Sequence, residues 1–119
     1  MTADELLQEY RRLAIVYGEA GEAGDPRTGN AAFDQLEPVQ LALRDLGQER
    51  RILELLDDDS EHVRLWAAFD ALYFSPNDGL RVLRELEQTE GKEVGMLAWS
   101  TLQEWESGDL VILPWTDEK

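Results

Sequence analysis

The chain has 119 residues, no cysteine, and 26 acidic against 11 basic side chains, a formal net charge of −15. One domain of this size buries roughly two thirds of its unfolded surface without a metal or disulfide, and the missing thiols exclude cysteine nucleophiles, thiolate zinc sites and disulfide frameworks. The negative excess argues against nucleic acid or an anionic membrane as partner; with no basic leader at Met1–Glu5 and no apolar run near the roughly 18 residues of a span, a soluble cytoplasmic protein is expected.

From Asp4 to about Gly18, the residues Leu6, Tyr10, Leu13 and Tyr17 fall on one stripe and predict an amphipathic helix. Gly18, Gly21 and Gly24, followed by Asp25-Pro26, interrupt that signal, although the residues between them allow a frayed helix as far as Ala23; a turn is predicted over Gly24 to Gly29. A second helix runs from about Asn30 to Leu46, striped by Phe33, Leu36, Val39, Leu43 and Leu46, with Gly47 as its stop. Pro38 falls inside it without breaking the register, which predicts a kinked helix or two coaxial pieces.

The centre of the chain, Ile52 to Leu72, reads as an apolar helix end, an acidic turn and a second helix. Ile52, Leu53, Leu55 and Leu56 form the first apolar face, Asp57-Asp58-Asp59 turns the chain, and Ser60 is the expected N-cap with Glu61 in the first turn. Val63, Trp66, Ala67 and Ala71 then line one side, and Leu65, Phe69, Leu72 and Tyr73 another, so this helix is sandwiched between neighbours. A third hairpin follows Ser75-Pro76-Asn77-Asp78: Leu80, Leu83 and Leu86 line one helix, Thr89 to Lys92 turns, and Val94, Leu97, Ala98, Leu102 and Trp105 line the last.

Ile52, Leu53 and Leu56 recur as Val82, Leu83 and Leu86, and Val63, Ala67 and Ala71 recur as Val94, Ala98 and Leu102, the pattern of stacked helical hairpins. The acidic turn followed by Val63-Arg64-Leu65-Trp66-Ala67-Ala68 resembles a HEAT-like repeat. With Tyr10, Gly18, Gly24 and Asn30 before it and Leu102-x-x-Trp105-x-x-Gly108 after it, the order over about residues 5 to 108 resembles a family of small bacterial HEAT-like proteins catalogued as domain of unknown function 2019. That resemblance implies an all-α fold, a HEAT-like α-α superhelix of about three helical hairpins, and carries no established catalytic residues. Residues 1–108 form the expected single domain. In the tail, 109–119, either Val111, Leu113 and Trp115 fold back to cap the last hairpin, or the stretch stays exposed and β-prone for a partner's sheet edge or self-association.

No nucleophile constellation is visible, and His62, in a helix's first turn, is expected to be a solvated surface histidine rather than a base. The cluster Asp57, Asp58, Asp59 and Glu61 lacks the spacing and glycine of a calcium loop, so capping and pairing with Arg64 explain it more simply. The expectation is therefore a chain without cofactor, metal or catalysis. Residues 85 to 119 hold nine acids against Lys92 and Lys119, net −7, and such a surface steers a basic protein toward it. Candidate contacts are Asp57, Asp58, Asp59, Glu61, Glu90, Glu93 and Trp115. Function is expected to be an acidic immunity- or inhibitor-type protein masking a basic partner, with self-association through Trp105 and the 109–115 tail as the alternative.

Overall fold

Thr2 starts the first helix by a reciprocal cap: its hydroxyl accepts from the Glu5 N–H while the Glu5 carboxylate accepts from the Thr2 N–H at 2.8 Å. The computed structural model describes residues 1–89 and 92–115 and is all helical there, with no strand among the described residues. Helix α1 spans Ala3–Ala23 and so runs straight through Gly18 and Gly21, past the break expected near Gly18 and as far as the limit, Ala23, that the sequence allowed. Of Gly18, Gly21 and Gly24, only Gly24 has positive φ, 68°, and its N–H closes back on the Ala20 and Gly21 carbonyls; that left-handed residue, not the first glycine met, is where the helix can stop.

Helix α2 (Pro26–Asp45) starts at once, with Asp25 accepting from the Thr28 N–H at 3.2 Å and Pro26 in the first turn. The predicted turn over Gly24 to Gly29 thus shrinks to two residues, and Gly29 lies buried inside α2, its would-be Cβ 3.6 Å from that of Ala20. The proline is absorbed into one continuous helix: Pro38 is exposed, as is Asp34, whose carbonyl loses its partner there and can turn to water. Leu36, Val39 and Leu43 are buried as the stripe requires, but Phe33 and Leu46 are half exposed.

After Gly47, again with positive φ, Glu49–Asp57 winds as a 3-10 helix rather than an α-helix. Its tighter turn aligns residues three apart, and Arg51 meets Glu54 across that spacing at 3.0 Å. Helix α3 (Glu61–Phe74) is capped by the Ser60 hydroxyl, which accepts from the Val63 N–H at 3.4 Å. Helices α4 (Pro76–Glu87) and α5 (Glu93–Ser107) complete the third pair, and α5 ends at left-handed Gly108.

Each helix packs mainly on its sequence neighbour, and α3 lies at the centre, touching α1, the 3-10 helix, α4 and α5. Ile52, Val82, Val63, Ala67, Val94 and Ala98, the matched positions of the hairpin pattern, are all essentially buried. Helix α1 also touches α5, across the middle pair, which a strictly linear stack does not allow. The radius of gyration is 13.5 Å, with extents of 37 × 30 × 29 Å, the size of a closed globule of this length. Among the described residues no helix is long and apolar enough to cross a membrane.

Candidate docking groove

The apolar pattern of α3 is interrupted by Asp70, and the fold closes around it. The carboxylate is wholly buried and pairs with no cation among the described residues; the Tyr10 hydroxyl donates to Oδ2 at 2.6 Å, the Gln40 side-chain amide donates to the same oxygen at 2.9 Å, and the Trp115 indole N–H donates to Oδ1 at 3.1 Å. Burial pushes the Asp70 carboxyl up to about 6, against the pull of those three donors. Burial, and then Asp70 itself, likewise push the Tyr10 hydroxyl well up. One side chain therefore ties α1, α2, α3 and the tail together.

The tail is fixed by this contact. Trp115 is buried and meets Phe74 edge-on with ring centroids 4.9 Å apart, and it stacks beside Tyr73. Ile112 is buried too, while Val111 and Leu113 are half exposed or more. The stretch is therefore not the alternating cap expected from Val111, Leu113 and Trp115: a turn over 113–115 aims Ile112 and Trp115 inward. Trp115 is anchored on α3, at Asp70, Tyr73 and Phe74.

Because the tail crosses there without covering everything, a cleft of about 370 Å³ remains between α2, α3, α5 and residues 111–114. Its floor is aromatic. Tyr17, Phe33 and Trp66 form a triangle with centroids 5.5 to 6.0 Å apart, and Phe69 extends it 6.4 Å from Trp66. Leu97 and Leu113 flank these rings, and Asp34 and Glu37, both exposed, stand along its α2 side. Phe33 is 51% exposed, which explains the break in the α2 stripe: its ring lines a groove instead of filling the core.

The acidic residues singled out by the sequence are placed differently. Asp58 is committed to the scaffold: Oδ1 takes the Arg11 guanidinium at 2.8 Å and Oδ2 takes the Ser60 N–H at 2.9 Å. Burial alone would push its carboxyl up, but the Arg11 and Ser60 donors outweigh it and hold it below the ordinary aspartate range. Arg64 reaches the backbone carbonyls of Asp58 and Asp59 rather than their carboxylates. Asp57 and Asp59 are exposed, Glu61 pairs with Lys92 at 3.5 Å, and Glu93 stands exposed at the start of α5; Glu90 lies outside the described residues. Trp115, far from these at the other end of α3, is a core residue. His62 is likewise not on the surface: it is 9% exposed and lies against Gly18 of α1.

Asp70 was missed because residue type alone does not distinguish a buried aspartate from an exposed one; its signal was a single acid inside Trp66–Phe74, a run otherwise apolar. The groove had a fainter trace, aromatic residues on the stripes of three separate helices. No family model, curated protein or solved structure matches the chain.

Proposed function

We propose that this chain is a non-enzymatic protein-binding module, an acidic inhibitor or immunity-type protein that masks a basic surface. The partner lays an amphipathic helix bearing lysine or arginine into the aromatic groove. The observation that carries this reading is the uncovered aromatic floor beside Asp34 and Glu37. Aromatic faces attract guanidinium and ammonium groups, whose apolar stems pack on the same rings. The net charge of −15 steers such a partner inward and rejects acidic ones. The scaffold is read as a short HEAT-like stack of α1 with α2, the 3-10 helix with α3, and α4 with α5, curled enough for α1 to meet α5; the pairwise packing and the matched buried positions support it.

A labelled leucine/lysine amphipathic peptide is the direct probe. Saturable one-to-one binding is expected, weakened by at least about tenfold in Phe33→Ser and in Asp34→Lys with Glu37→Lys, as loss of one anchor or its charges implies. Reversal of Glu104 and Glu106, elsewhere on the surface, is expected to change it little. Equal losses from the two charge reversals would assign the attraction to net charge and remove the groove from the account. Self-association is the second reading, favoured by Met96 and Trp99, 68% and 51% exposed on α5; a dimer in sedimentation that Trp99→Ser dissociates would support it.

A further inference from the structure

At the end of α3 away from Trp115, three side chains that the groove does not use converge from two helices. We propose that Glu22, Glu61 and His62 bind a divalent transition-metal ion that clamps the C-terminal end of α1 to the N-terminal end of α3. This rests on side chains separate from the groove and stands or falls independently of it. One ligand atom from each residue lies within 4.8 Å of the others. His62 Nε2 is 3.4 Å from Glu22 Oε2, close to the roughly 3.3–3.5 Å separating two ligands of a tetrahedral ion bound at about 2.0–2.1 Å. One imidazole nitrogen with two carboxylates is a donor set for zinc and its neighbours, and it leaves a coordination position for water.

Three further observations point to a cation there. His62 is 9% exposed, yet neither ring nitrogen makes a hydrogen bond among the described residues, so Nε2 keeps its lone pair available beside the Glu22 carboxylate. The seat for the ring is cut out of α1: a Cβ at Gly18 would lie 2.2 Å from His62 Nδ1, and one at Gly21 would lie 2.5 Å from a Glu93 oxygen. Glycine inside a helix forgoes helix propensity, so α1 gives up stability at Gly18, where the imidazole docks. Nδ1 faces that backbone, which leaves Nε2 toward the carboxylates. Glu22 also occupies the last turn of α1, where no basic residue stands and the helix dipole opposes a carboxylate. Lys92 pairs with Glu61 at 3.5 Å and with a 55% exposed side chain, so it supplies no charge to Glu22.

The test uses the full chain after chelator treatment, titrated with Zn²⁺ by calorimetry and with Co²⁺ by visible absorption. One equivalent should bind, Co²⁺ should develop the intensified d–d bands of a tetrahedral site, and Zn²⁺ should raise the thermal midpoint. Glu22→Gln, at an exposed position that leaves the packing intact, should weaken binding by at least about tenfold, since even outer-shell changes cost a metal site that much. Glu61→Gln should do the same, and the decision does not depend on how well His62→Gln folds. Glu104→Gln with Glu106→Gln should leave binding unchanged. Absence of saturable binding, or one-equivalent binding indifferent to both Glu22→Gln and Glu61→Gln, would overturn the proposal.

Discussion

Helix α3 buries two titratable side chains about 12 Å apart along its axis, and the fold treats them in opposite ways. Asp70 is given three donors from α1, α2 and the tail, whereas His62 is given a glycine-lined seat, two nearby carboxylates and no hydrogen bond. The contrast separates structure from candidate function within a single helix. Asp70, whose partners are all protein, holds the fold together, and His62, without them, is where we propose that a metal ion binds.

The largest effect is expected at Asp70. Asp70→Ala leaves three buried donors without an acceptor and is expected to cost at least about 3 kcal/mol, each orphan being worth about 1–3; a loss under about 1 kcal/mol in urea unfolding would show that the network does not hold the tail. A second effect is pH dependence. Below about pH 4 the Asp70 carboxyl is protonated in both folded and unfolded chains; between its unfolded value of 3.8 and its folded value of about 6, only the folded chain keeps the proton. Stability from this group is therefore full at the acid end and falls as pH rises through that window, by roughly 2–3 kcal/mol. Asp70→Asn should flatten the fall, and the readout is wild type minus variant, because Asp58 and other paired acids slope the other way.

Ala67 lies between the two buried groups, fully covered where neighbouring helices approach. Ala67→Leu should overpack that contact and cost about 1–3 kcal/mol, seen as a lower thermal midpoint. Gly18→Ala sharpens the other end. Alanine in a helix interior ordinarily adds about 1 kcal/mol of stability, but here the methyl would displace His62, so the variant should be destabilised and the gain should reappear only when His62→Ala is added. The smallest effect concerns the acidic turn: Asp58→Ala should cost about 1 kcal/mol by freeing the Ser60 N–H and Arg11, while Asp59→Ala should stay within about 0.5 kcal/mol.

The helical pattern was legible wherever apolar spacing and caps agreed, as at Ser60 and the acidic turn; α4, expected after Ser75–Asp78, instead starts inside that stretch at Pro76. It misled where one residue type serves two ends. Glycine signals a stop when its φ is positive, as at Gly24, but a close approach when it is helical, as at Gly18, and spacing does not separate these cases. Likewise Asp58 and Asp59 look alike in the chain, yet one is held by Arg11 and the other is exposed. Phe33 and Trp66 were readable as apolar; that they line a groove depends on how far the tail reaches across α2 and α3, which no local pattern encodes.

The central claim, that a basic amphipathic helix docks in the aromatic groove, is tested most directly by amide correlation spectra of the labelled chain titrated with the leucine/lysine peptide. Saturating shifts should concentrate on Tyr17, Phe33, Trp66, Phe69, Leu97 and Leu113, together with the Trp66 indole. Shifts spread over the acidic surface of α4 and α5 while Phe33 and Trp66 remain still would contradict it.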